Sequence, residues 1–266
     1  MVAPSAYVAP AWTQGDPQLG FASYLYDAGE FFRAVGEFER WRFMRPQDVR
    51  EPRVRLQLGR CYLQGKRYEQ ALTYFALPYP SAELEAIARY EQGRALLGLG
   101  RFEEAEAAIR PLEHSASLAS PARVQLGLAA AKQGAWQQAG DYFERAGASD
   151  ATAIARNIQV RHTPSPWVAG GLSTLLPGAG QLYLGRQSDG FGSMLLTAAL
   201  VGASYYYAQR DQAPISYATG ILGAGFWGAS VYGAIGGARH ETRLADAQAI
   251  RTIEAAIAPL TRPDLQ

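Results

Sequence analysis

The sequence predicts an all-α protein built from two unlike parts, a polar part of repeated helix pairs over residues 15–161 and an apolar helical part over residues 167–238. Two observations support this division. Related segments recur in the first part about every 34 residues, a length typical of helical repeats. Charged residues then become rare between 167 and 238. A chain of 266 residues is long enough for two domains.

Composition argues against several classes of function. The net charge is +1 and the arginines are spread along the chain, with Lys66 and Lys132 as the only lysines, so we expect no binding of nucleic acid. A single cysteine, Cys61, excludes a disulfide framework and a thiolate metal site. Residues 1–14 lack the basic and apolar regions of a signal peptide, and we expect a flexible arm there. Whether an export signal was removed ahead of Met1 is left open.

The repeats align on four alanines that lie 37, 34 and 34 residues apart. They occur in the segments AGEFFRAVGEF, QGKRYEQALTYF, GLGRFEEAEAAI and KQGAWQQAGDYF. The alanines are Ala34, Ala71, Ala105 and Ala139. Twelve residues before them stand the small residues Ala22, Gly59, Gly93 and Gly127, and four residues after them stand Phe38, Phe75, Ile109 and Phe143. In this period and pattern the chain resembles the tetratricopeptide-repeat family.

Each repeated position has a physical role that the resemblance implies. The small residues allow two antiparallel helices to approach closely, and we expect the aromatic residue to fill the space between one helix pair and the next. Turns are predicted at four glycines: Gly29, Gly65, Gly100 and Gly134. Solenoids need a polar cap at their end, and residues 150–160 are predicted to form that capping helix, with Ser149 or Asp150 as its N-cap.

The resemblance also implies a concave groove for a protein partner, lined by the first helix of each repeat. The groove residues that it places there are Tyr26, Arg60, Gln64, Tyr90, Arg94 and Lys132. Arg60 and Arg94 hold the same position in successive repeats, and two guanidinium groups suit a carboxylate of a bound peptide. The alternative is that these charges are solvated or pair with Glu91 and Asp27.

The apolar part begins after a proline-rich hinge at 162–166. It contains three apolar stretches, 167–184, 191–208 and 215–238, and the last two carry no charge. A stretch of 24 residues can span a bilayer. We therefore predict a transmembrane helical hairpin preceded by a kinked or re-entrant helix. The alternative is a buried hairpin in a soluble domain.

Two sets of residues within this part indicate lipid surroundings. Small residues recur at every fourth position, which permits close helix packing in a membrane and oligomerisation through the glycine-rich helices; they are Gly225, Ala229, Gly233 and Gly237. The second set is a motif of Pro177, Gly178, Gly180, Gln181, Tyr183 and Gly185. It resembles bacterial small membrane domains with the signature Pro-Gly-x-Gly-Gln-x-Tyr-x-Gly, which implies a location and no reaction. At the break, Gln181 is placed to satisfy freed backbone groups.

The tail, residues 239–266, carries one apolar stripe at helical spacing. Its members are Leu244, Ala247, Ile250, Ile253, Ile257 and Leu260. Three placements fit this amphipathic helix: on the membrane surface, against the solenoid, or in an oligomer interface.

No catalytic, cofactor or metal site is predicted. His114, His162 and His240 are far apart in the sequence and belong to no ligand-spaced motif, and no nucleophile or phosphate-loop signature occurs. The expected function is therefore an adaptor that binds protein partners at the bacterial inner membrane during assembly or biogenesis of envelope proteins. A component of a lipid or solute transport system is the alternative. Arginines flanking the hairpin favour a cytoplasmic solenoid, whereas a removed export signal would make it periplasmic.

Overall fold

The structure is a computed structural model that describes residues 7–161 and 163–261. It divides into two compact units. The repeat unit comprises residues up to 159 together with those from 250 onward, and the apolar unit comprises residues 160–249. The helix Ala213–Ile257 contributes to both, so the predicted boundary at 239 falls inside a helix. The first six residues of the predicted arm and His162 of the predicted hinge lie outside the described residues.

The repeat unit contains four antiparallel helix pairs followed by one further helix, and the described residues form no strand. The pairs are α1 (Pro17–Asp27) with α2 (Phe31–Met44), α3 (Glu51–Gln64) with α4 (Tyr68–Phe75), α5 (Ala82–Gly98) with α6 (Phe102–Ile109), and α7 (Ala119–Lys132) with α8 (Trp136–Arg145). α9 (Ser149–Val160) follows where the capping helix was predicted, and it already includes Ser149 and Asp150, the two residues predicted as its N-cap. The first repeat interval is longer because α2 has 14 residues against eight in α4, a difference that is partly offset by α3, with 14 residues against 17 in α5.

Local sequence explains where these helices begin and how each pair turns. Asp16 caps α1, its carboxylate accepting hydrogen bonds from the backbone N–H of Gln18 and Leu19. The turns of pairs one, three and four place Gly29, Gly100 and Gly134 at positive φ, which glycine adopts without steric cost. The turn of pair two differs from the prediction, because Gly65 has φ −73° and the left-handed residue is Lys66, at φ 58°.

The small repeated residues lie directly under the bulky ones. A Cβ added to Gly59 would overlap the ring of Phe75, one on Gly93 would overlap Ile109, and one on Gly127 would overlap Phe143. In each case both partners belong to the same repeat. In these three pairs the two helices approach closely, as predicted. The bulky residue was expected between one pair and the next, but it packs on the small residue of its own pair.

The C-terminal end of the chain packs on the repeat unit, which is one of the three placements that the sequence left open. Ile253 and Ile257 are buried and belong to one apolar cluster with residues of α7, α8 and α9. Ile250, Ile253 and Ile257 of the predicted stripe therefore continue the core of the repeats at this end, whereas its other members, Leu244, Ala247 and Leu260, are exposed.

The apolar unit consists of four helices, the last of which ends in the repeat unit. They are α10 (Pro166–Leu175), α11 (Ala179–Tyr183), α12 (Gln187–Ala208) and α13 (Ala213–Ile257), and a 3-10 turn, Ala258–Thr261, follows. α10 ends because Pro177 and Gly178 form a turn, with Gly178 at φ 90°.

Within residues 7–161 and 163–261, one helical run is long and apolar enough to cross a membrane. It extends from Ala213 to Thr261, and its most apolar window has a mean hydropathy of 1.2 with 22% of the window buried. The second predicted span lies in this run. The first, on α12, does not reach the same hydropathy.

Candidate functional site

The centre of the predicted groove is a buried carboxylate shared by two arginines. Arg60 of α3 donates from Nε to Oε1 of Glu91 at 2.8 Å, and Arg94 of α5 donates from Nη1 to Oε2 at 2.7 Å. The side chain of Glu91 is 1% exposed. The two arginines thus share one carboxylate of the chain itself, and the pairing with Glu91 raised as an alternative is the one present.

This cluster leaves the groove with an excess of positive charge. Two guanidinium groups face one carboxylate, and arginine stays protonated in proteins. Burial acts to lower the pKa of Arg94, but the attraction of Glu91 is decisive and the pKa is raised. Burial raises the pKa of the neighbouring Tyr90, so its hydroxyl stays a hydrogen-bond donor at neutral pH.

Two other predicted groove residues bind the C-terminal end of the chain. Lys132 forms an ion pair with Glu254, with 2.8 Å between Nζ and Oε1. The Tyr90 hydroxyl donates to the backbone carbonyl of Thr261 at 3.0 Å and accepts from Gln125 Nε2 at 3.4 Å. The surface predicted as the groove of repeats three and four is thus in contact with residues of the same chain.

An open cavity of about 310 Å³ lies beside these contacts. Its lining includes Gln64, Arg94 and Lys132 of the predicted set, Lys66 from the turn between α3 and α4, and Glu254 from the C-terminal end. Cations outnumber anions in this wall, so the cavity suits an acidic or hydrogen-bond-accepting group. Tyr26 is not part of the lining; it is half-buried and makes an edge contact with Phe31.

In the apolar unit the signature motif forms a tight polar turn. Gly178 N–H donates to Ser230 Oγ at 2.8 Å, and Gly180 N–H donates to Ser173 Oγ at 3.0 Å. Gln181 is buried and donates from Nε2 to the backbone carbonyl of Ser230 at 2.8 Å. The hydroxyl of Ser173 in turn donates to Gln181 Oε1 at 3.1 Å. These bonds satisfy backbone groups that the break in the helix leaves free. A backbone group without a hydrogen-bond partner is costly in an apolar setting.

The remaining members of the motif support this turn. A Cβ on Gly180 would overlap the carbonyl oxygen of Ala169, and one on Gly178 would overlap that of Gly190. Gly185 has φ 77° in the turn before α12, and the Tyr183 hydroxyl accepts a hydrogen bond from the Ser165 N–H at 3.3 Å. Pro177 stands at the first position of the turn.

The predicted stripe of small residues lies beside the face of α13 that is buried. Ser230, Ala234 and Ala238 are the buried residues of that face. Gly233 and Gly237 border it, because an added Cβ there would approach Gln181 and Arg186. Gly225 and Ala229 are exposed, so within one chain they make no close helix contact.

Sequence reasoning missed several partners of these residues. Ser173 and Ser230 carry no pattern that marks them: they lie 8 and 49 residues from Gln181, and neither spacing belongs to a recognised motif. Glu254 stood inside a recognised apolar stripe, but its partner Lys132 could not be read from spacing. Among the described residues, no three His, Cys, Asp or Glu side chains are placed to hold a metal ion.

Comparison with known proteins identifies the repeats. The sequence profile of the tetratricopeptide repeat matches residues 19–82 and 90–153, which cover most of the four helix pairs and leave out the first part of α5. No curated protein and no solved structure matches the chain. Repeats of this family are protein-interaction modules, and the all-helical repeat unit agrees with the match. The chain therefore contains a tetratricopeptide-repeat region.

Proposed function

We propose that this protein is a membrane-anchored adaptor: the repeat unit binds protein partners in its groove, and the apolar unit holds it at the bacterial inner membrane. The assembly or biogenesis of envelope proteins is the process that we propose it serves. The observation that carries the proposal is the surface of the apolar unit, where large apolar side chains of α12 and α13 are exposed. They include Phe191, Leu195, Val201, Ile221, Leu222 and Tyr232.

This surface supports lipid as its surroundings for two reasons. Soluble monomers rarely expose contiguous apolar patches of this kind, and α13 is long enough to cross a bilayer. Gln181 and Ser230, by contrast, are buried and hydrogen-bonded to each other between the helices. A helix packed against water would have the opposite distribution.

The anchor is tested by placing charge on that surface. The double variant Leu195→Arg, Ile221→Arg should lose most of its flotation with membrane vesicles, because each arginine costs about 2.5–3.5 kcal/mol at the centre of a spanning helix. The matched control is Phe43→Arg, Val49→Arg in the repeat unit, where the side chains are 88% and 92% exposed. Equal flotation of both variants would contradict the anchor.

The adaptor role is tested by photo-crosslinking in cells. A photoreactive amino acid at Gln64, in the wall of the cavity, should capture a discrete set of proteins. The same amino acid at Glu104, an exposed residue of α6, serves as the control on the second helix of a repeat. Identical capture at both positions would argue against the groove as the binding surface.

A further inference from the structure

The groove of repeats three and four has an occupant whose chemistry is visible. Residues 250–261, here named the C-terminal segment, place Ile253 and Ile257 among buried residues of α7 and α9. The side chains of Ile253 and Ile257 are 0% and 2% exposed. Residues four apart share one face of a helix, so these two isoleucines form the apolar contact of the segment.

Polar contacts fix the segment at both ends of this apolar pair. Glu254, next to Ile253, forms its ion pair with Lys132. Past the end of the helix, Thr261 accepts the hydrogen bond from Tyr90 through its backbone carbonyl. The segment is therefore bound by the same kinds of side chain that line a peptide groove: an aromatic hydroxyl, a lysine and a floor of small apolar residues.

The fit of the segment is incomplete. The cavity of about 310 Å³ remains between it and α3, α5 and α7, and is lined by Ile257, Ala258 and Thr261 on the segment's side. The lining carries three cations, Lys66, Arg94 and Lys132, and the acid Glu254; with Arg60 and Glu91, of which Glu91 pairs with both Arg60 and Arg94, four cations stand against two acids. A segment that served only as core would leave neither this volume nor this excess of positive charge.

We propose that the C-terminal segment is a resident ligand of the groove, and that the partner which displaces it is an amphipathic helix of the same pattern. That pattern is an apolar residue, an acidic residue directly after it, and a second apolar residue three positions further on, as in Ile253, Glu254 and Ile257. The inference rests on the proposed adaptor function and names the class of partner. Laying an amphipathic helix in an apolar groove is a general mode of peptide recognition.

Displacement sets a condition on the partner. A segment attached to its own groove is present at an effective concentration of the order of millimolar. A free helix must therefore bind more tightly than the segment does, and the cavity supplies the means. Larger apolar side chains, or a second acid facing Lys66 and Arg94, would make contacts that Ala258 and Thr261 do not make.

The test uses the full chain in mild detergent and a fluorescent synthetic peptide of residues 248–261. In the double variant Ile253→Asp, Ile257→Asp the attached segment should leave the groove, and the peptide should bind at least about tenfold more tightly than to the unaltered chain, since the competing occupant is removed. A peptide that carries the same two aspartates is the matched control and should not bind.

Exchanging the charges of Lys132 and Glu254 tests where on the chain the peptide binds. Adding Lys132→Glu to the double variant should weaken binding of the unaltered peptide about tenfold, and a peptide with Glu254→Lys should recover most of that loss. Failure of recovery would place the peptide elsewhere on the chain and overturn the proposal. So would the absence of peptide binding to a double variant that keeps its helical content and cooperative melting.

A second variant covers the case in which the double variant does not fold. Glu254→Lys alone removes the ion pair and leaves both isoleucines in place, and it should raise the affinity for the unaltered peptide several-fold; unchanged affinity would overturn the proposal. Because the peptide comes from the chain itself, the result is independent of any cellular partner. Peptide binding without cellular capture at Gln64 would count against the adaptor alone, and capture without peptide binding against the resident ligand alone.

Discussion

The two units of this chain bury opposite kinds of side chain. The repeat unit encloses its largest residues, among them Trp41, Phe38 and Phe143, each at most 1% exposed. In the apolar unit the buried apolar cluster consists of Ala169, Ala234 and Ala238, while many of its large apolar residues are exposed, among them Phe191, Leu195 and Ile221. The comparison teaches that helices of one chain can pack through large side chains in one unit and through small ones in the other, and close packing through small residues is the pattern that helices in lipid use.

The units also use polar groups differently. The repeat unit neutralises a buried charge, because Glu91 lies between Arg60 and Arg94. The corresponding network of the apolar unit is uncharged and consists of Gln181 with two serines. Charges are expensive in a membrane, so a network of an amide and two hydroxyls at the broken helix is what the proposed anchor requires.

The largest expected effect compares two phenylalanines. Phe143→Ala should lower the free energy of unfolding of the repeat unit by about 3–5 kcal/mol, because a fully buried ring leaves a cavity. Phe191→Ala, whose ring is exposed on α12, should change the stability by less than about 0.5 kcal/mol. Urea unfolding in mild detergent, followed by circular dichroism, measures both. Equal losses of unfolding free energy in the two variants would contradict the difference between the units.

A second prediction concerns the buried carboxylate. Glu91→Gln leaves two guanidinium groups without a counter-charge and should cost about 3 kcal/mol of unfolding free energy. Glu85→Gln removes the partner of Arg89 in an exposed pair and should cost about 0.5 kcal/mol or less. Both variants lose one carboxylate from the same helix, so their difference in urea midpoint isolates burial. A small loss for Glu91→Gln would mean that its site is open to water.

Close packing of the apolar unit is tested at its glycines. Gly180→Ala should cost about 1–3 kcal/mol, because the new methyl group overlaps the backbone of α10. Gly192→Ala on α12 meets no atom within 4 Å and should be neutral or slightly stabilising. Thermal melting in mild detergent distinguishes them. Tolerance of both substitutions would show that α10 and α11 are not in contact as described.

The smallest expected effect is a gain. Lys66 holds the left-handed conformation that glycine holds in the other three turns, so Lys66→Gly should raise the unfolding free energy by about 0.5–1 kcal/mol. Lys66→Ala keeps a Cβ at positive φ and should give no gain. The urea midpoints of the two variants measure both effects. A higher stability of Lys66→Ala would mean that the lost charge, and not the backbone conformation, is the cause.

The sequence predicted those features that depend on neighbouring residues. The period of Ala34, Ala71, Ala105 and Ala139 reveals the repeats because each helix pair is a local unit. The turn at Gly178 was predictable for the same reason, since a proline followed by glycine cannot continue a helix. Which face of α13 is buried could not be predicted in this way. Ala234 and Gly233 are both small residues, and only the packing partner selects one of them.

Contacts between residues far apart in the chain could not be predicted from the sequence. Glu91 was named as one partner for the arginines, but spacing alone gave no means to choose between it, solvent and a ligand. The contact of Tyr90 with Thr261 joins positions 171 residues apart, and no periodicity relates them. The stripe of Ile253 and Ile257 predicted an amphipathic helix and its apolar face, but its surroundings depend on the whole chain.

An alkaline wash of vesicles that contain the intact protein tests the central claim most directly. Peripheral proteins are released at high pH, whereas a chain whose exposed apolar helices lie in lipid stays with the sedimented membrane. We expect the full chain to remain in the pellet and the variant Leu195→Arg, Ile221→Arg to appear in the supernatant. Release of the unaltered chain would contradict the lipid-embedded anchor and, with it, the membrane adaptor.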